Sequence, residues 1–136
     1  MIRTLAAILV SGSLMWLLAG AFHELNAAFF VAEGGAPEGG HQSVGLIFLG
    51  YLLLAGLMAL AFDRARISAA PWVKGGVVGV FVGLLWVFPH GVVLAAAHGD
   101  SLSYEVLNAL WHVIEQGVGG VALAALWPRA ARPLAA

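Results

Sequence analysis

Glu105, Asn108, His112 and Glu115 stand at i, i+3, i+7 and i+10 in the stretch YEVLNALWHVIEQG, residues 104–117. On a helix that spacing gathers all four on one stripe, which Gly119 extends. The surrounding residues are apolar enough for a bilayer, where a charged side chain at the centre of a helix costs about 2.5–3.5 kcal/mol. Ionisable residues in such a place are rare and usually mark function. Two other stretches carry similar groups: HELN at 23–26 supplies His23 and Glu24, and His90 follows Pro89. Imidazole suits Zn, Cu or Fe, and a carboxylate completes the shell or orients a ligand histidine. The expected metal ligands are therefore His23, Glu24, His90, His112 and Glu115, with Asn26, Glu105, Asn108 and Trp86 around them.

Neither fragment is specific by itself. His112-Val-Ile-Glu115 reverses the Glu-x-x-His order of ferritin-like di-iron sites. HELN lacks the second histidine of a zincin. A haem or chlorin held by two histidines is a less favoured cofactor, with Trp16, Trp86, Trp111 and Phe88 available to line its pocket. A proton or ion path is another reading, since Glu and His are the usual relay groups in membranes. The plainest alternative is an accessory subunit of a larger membrane complex. There the cluster is interhelical glue, at about 0.6 and up to about 1.7 kcal/mol per hydrogen bond.

The chain that must position these groups has 136 residues, 62% of them hydrophobic and 10% charged. Soluble domains carry about 25% charged residues, so this composition belongs in lipid. With no cysteine, disulfides, thiolate metal sites and cysteine nucleophiles are excluded. Net charge near zero and no basic cluster argue against a nucleic-acid partner. Four apolar runs, near 4–31, 44–62, 74–97 and 104–127, are each long enough for roughly 30 Å of hydrocarbon. The connections are short, which predicts one all-α integral membrane domain over 1–136, an up-down-up-down four-helix bundle. Ala19-Gly20-Ala21 has the form of a signal-peptide cleavage site, but the apolar run continues past it, so the first run is expected to remain as a span.

All six Lys and Arg (Arg3, Arg64, Arg66, Lys74, Arg129 and Arg132) lie before the first span, between the second and third, or after the fourth. The other two loops carry only Glu33, Glu38 and Asp100 among charged residues. The positive-inside rule then predicts both termini in the cytoplasm. The outline is similar to that of many small four-span bacterial proteins, which implies the inner membrane and supplies no residue roles. The expected partners are the lipid bilayer and either further copies of the chain or a larger membrane complex.

With that orientation, helical rise puts His112 about 11 Å, Glu115 about 15 Å, His90 about 10 Å and His23 about 10–12 Å below the outer surface. Three histidines from three spans thus reach nearly one level. On the third span Gly75, Gly79 and Gly83 form a small-xxx-small face whose continuation is expected to reach Trp86 and His90. On the first, Ala6, Ser13, Gly20 and Ala27 repeat every seven residues, and that line is expected to face inward. The second span offers only Tyr51 as a polar side chain and is expected to serve as a wall. His41 and His98 lie in or beside the outer loops, where solvation is the simpler role. Pro89 is expected to bend the third span, and the glycine face or the outside of the second span to dock any partner.

Overall fold

The computed structural model describes residues 2–32, 43–98 and 101–128, with the side chains of His90, Val92, Leu94, Ala95 and His98 outside the description. The described residues form five helices and their connections: α1 (Ile2–Leu25), α2 (Ala27–Ala32), α3 (Val44–Arg64), α4 (Pro71–His98) and α5 (Leu102–Leu126). Four of these, α1, α3, α4 and α5, are long and apolar enough to cross a membrane. Local chemistry sets their ends. Ser43 caps α3, its hydroxyl accepting from the Leu46 amide at 3.4 Å. Pro71 opens α4, where its fixed φ suits a helix start and its missing N–H costs nothing. The helix continues through Pro89 to His98.

The first span departs from the expected 4–31 in one respect: it divides at Asn26. Both the backbone amide and the side-chain Nδ2 of Asn26 donate to the Phe22 carbonyl, at 3.1 and 2.8 Å. An asparagine amide competes with the backbone for such carbonyls, which explains the turn between α1 and the short α2.

α4 and α5 form the most extensive pair; α5 also packs on α1, and α1 on α3. The α4–α5 contact is made by glycines. A Cβ placed on Gly79 would overlap the Gln116 carbonyl oxygen, and one on Gly75 would overlap that of Gly120. The facing backbones are therefore as close as they can come. The row runs 75, 79, 83, 87, 91: Val87 and Gly91 are buried in its continuation, while Trp86 is 52% exposed. This corrects the expected placement of Trp86 beside the site. A four-residue step follows the helix's own ridge, and a three-residue step from Gly83 leaves it. The glycine face is also filled from within the chain, so it is not free to dock a partner.

The inward face of α1 needs a second correction. Ala7, Ser11, Met15 and Ala19 are buried, whereas Ala6 and Gly20 are exposed. Shape decided this: the Met15 side chain fills the space over Gly119, and a Cβ there would overlap its sulfur. Ser11 Oγ donates to the Gly119 carbonyl at 2.8 Å, both groups buried. Ser11→Ala should lower stability by about 0.6–1.7 kcal/mol, the range of interhelical hydrogen bonds in lipid. Thermal unfolding in detergent measures it, and an unchanged midpoint would refute the tie.

Around this interior the outer surface is apolar as well. Leu49, Leu53, Leu57 and Leu60 form one exposed stripe on α3, and Phe81, Leu85 and Phe88 are exposed on α4. Helices apolar on both faces are the form suited to hydrocarbon.

Candidate functional site

The polar stripe of α5 is where the bundle departs from an apolar interior. Glu115 and Gln116 are both completely buried, near the middle of α5. Glu115 faces two groups. Tyr51 Oη, from α3, donates to its Oε2 at 3.4 Å. His112 Nδ1, one turn earlier on α5, comes to 3.5 Å of the same oxygen. Tyr51 is thus part of the site as well as part of a wall. The second span brings its one polar side chain to the carboxylate.

Both neighbours address Oε2, and Oε1 has no hydrogen-bond partner. Nor does His112 Nδ1. The same is true of Asn108 Oδ1, Trp111 Nε1 and both amide atoms of Gln116. Six buried polar atoms within two and a half turns of one helix are left with unused bonding capacity. Buried polar groups are ordinarily satisfied, and each one that is not needs an explanation.

His23 approaches from α1. It packs against the Phe30 ring at a centroid distance of 4.9 Å and edge-on to Phe22 at 5.6 Å. Phe22 in turn stacks on Trp111, 4.4 Å away and within 5° of parallel. That stack fixes α1 against α5 one residue before each histidine. Of the remaining aromatics proposed for a tetrapyrrole pocket, Trp16 packs edge-on against Phe48 and Phe88 is exposed.

The structure does not bring every expected residue to this locus. Glu24 is exposed on α1, as its position next to His23, a 100° rotation away, allows. Asn26 is half-buried and uses its amide on the Phe22 carbonyl. Glu105 is buried three turns from Glu115, its carboxylate lying over Gly91, where a Cβ would come within 2.8 Å of Oε2. The His90 side chain lies outside the described residues, as do His41 and the side chain of His98. Among the described residues no three His, Cys, Asp or Glu side chains converge as a metal-binding group.

Two contributors escaped the sequence reading. Gln116 is four residues after His112 and so on the same side of α5, a signal that was present in the spacing. Ser11 had none, being a lone hydroxyl in an apolar run whose inward face is set by packing. Glu115, His112, Tyr51 and Gln116 thus form a polar centre in the interior, which no Lys or Arg joins among the described residues. Comparison of the chain with family models, with curated proteins and with solved structures gives no match, so its function is argued from this geometry alone.

Proposed function

We propose that the protein is a small multi-pass membrane protein that binds a transition-metal ion at His112 and Glu115, inside the bundle. One observation carries the reading. His112 Nδ1 and Glu115 Oε2 are 3.5 Å apart without a hydrogen bond between them, while Nδ1 and the second carboxylate oxygen remain unpartnered. Metal bonds of about 2.1 Å at a tetrahedral angle separate two ligand atoms by about 3.4 Å, so the spacing is that of ligands sharing one ion. Among the described residues no Lys or Arg belongs to the site, and a bound cation would supply the positive charge that lets the buried carboxyl give up its proton. Tyr51 holds the carboxylate from outside the ligand set, the role outer-shell partners play in metal centres.

In this reading the chain alternates direction through a bacterial inner membrane, with both termini in the cytoplasm. The six basic residues support that orientation.

The test is elemental analysis of detergent-purified protein, wild type beside His112→Ala. Near-stoichiometric metal in the wild type, lost from the variant, is the expected result. A metal-free wild type would sink the proposal. It would favour a second reading, in which Tyr51–Glu115 and Ser11–Gly119 tie α3 and α1 to α5 in an accessory subunit. Copurifying partner chains would then be expected. An absorption spectrum of the same sample reads out any tetrapyrrole.

A further inference from the structure

Away from the buried centre, the start of α1, the end of α3, the start of α4 and the residues just after α5 meet around one side chain, Trp127. The Trp127 ring stands edge-on to Phe62, 5.2 Å between centroids. Lys74 Nζ lies over the other ring of that pair, 4.6 Å from the Phe62 centroid. Trp127 also walls two clefts. One, of about 300 Å³, is formed with Arg3, Ala6, Ala125 and Leu126. The other, of about 250 Å³, is formed with Phe62, Asp63, Pro71 and Lys74.

We infer that these clefts bind the phosphate of an acidic phospholipid, at Arg3 in one and at Lys74 in the other. Each cleft pairs a cation with the indole and with apolar wall, the combination a phospholipid presents in reverse: phosphate, glycerol, acyl chain. Neither α1 nor α4 carries an acidic residue in its first turn to neutralise the cation there. Asp63, the one acid lining the second cleft, has a largely exposed side chain, so solvent and salt screen its charge. The Phe62 ring attracts the Lys74 ammonium through its face, and of the three N–H donors those turned away from the ring can reach an anion. Basic pockets between membrane helices are the sites where anionic headgroups settle, and tryptophan favours that depth.

Arg64 and Arg66 provide the internal control. Both are exposed near the same end but line neither cleft. The experiment compares thermal unfolding of the full chain in nanodiscs of phosphatidylcholine and of phosphatidylcholine with phosphatidylglycerol. Phosphatidylglycerol should raise the midpoint by roughly 4 °C in the wild type and in R64Q/R66Q. The rise should vanish in R3Q/K74Q and return in R3K/K74R, which keeps both cations. Native mass spectrometry of the same proteins should show phosphatidylglycerol retained by all except R3Q/K74Q. Equal loss in R64Q/R66Q would overturn the site in favour of diffuse attraction to a basic end. A rise of the same size produced by inorganic phosphate in phosphatidylcholine discs would overturn the lipid assignment. Should R3Q/K74Q fail to fold, R3Q alone and K74Q alone must each lower lipid retention, and unchanged retention in both would sink the inference. The outcome is independent of metal content at Glu115.

Discussion

Replacing Gly79 with alanine is expected to lower the stability of the bundle by about 3 kcal/mol, the upper part of the range for overpacked interiors. The new methyl would overlap the Gln116 carbonyl oxygen and come within 2.8 Å of its carbon and 3.0 Å of Gly117 Cα. These are backbone atoms of α5, so no rotamer change can make room. The helices must separate along their most extensive contact. Separation would also loosen the α5 segment that carries His112 and Glu115. Gly56→Ala supplies the comparison, because nothing lies within 4 Å of a Cβ there. That substitution should be neutral or stabilising by up to roughly 1 kcal/mol, from the lower conformational freedom of alanine in the unfolded chain. Unfolding of both variants by SDS titration measures the difference. Equal stability would mean that the glycine row does not set the α4–α5 distance.

Glu115 gives the second large effect, and two substitutions separate its chemistry from its packing. Glu115→Gln keeps the shape and an oxygen for Tyr51, so stability should stay within about 1 kcal/mol of the wild type. Metal affinity should fall by 100-fold or more, since changes even to outer-shell groups cost about 10–100-fold and this one removes an anionic ligand. Glu115→Ala does both. It strips the Tyr51 hydroxyl of its acceptor and leaves a void in a fully buried position. The expected loss of stability is about 2–5 kcal/mol. Metal titration followed by unfolding reads both quantities on one sample. A glutamine variant that binds metal as tightly as the wild type would remove Glu115 from the ligand set. An alanine variant as stable as the wild type would show that the interior around Tyr51 is not packed as described.

How much of this was legible in the residues varies by element. The spans expected at 44–62, 74–97 and 104–127 agree closely with α3, α4 and α5, because runs of apolar residues in lipid have few ways to satisfy their backbone other than a helix. The α5 stripe was also readable. Its polar residues contrast with their neighbours, so a 3.6-residue period picks out one side. The same contrast is missing in α1, where Ala6 and Ala7, or Gly20 and Ala19, are equivalent by hydropathy and only one of each pair is buried.

The residues alone determined that this chain would be helical and apolar, that its basic side chains would bracket the first span, the second connection and the end of the fourth, and that α5 would carry a polar stripe. Tertiary structure decided who meets that stripe: Tyr51 and not Glu24, Val87 and Gly91 along the glycine row and not Trp86, Ser11 and Met15 and not Ser13. The reason is physical. In hydrocarbon both sides of a helix are apolar, so burial no longer sorts residues by hydropathy. The inward face is chosen by van der Waals fit, through glycines that let backbones touch and a methionine that fills what remains.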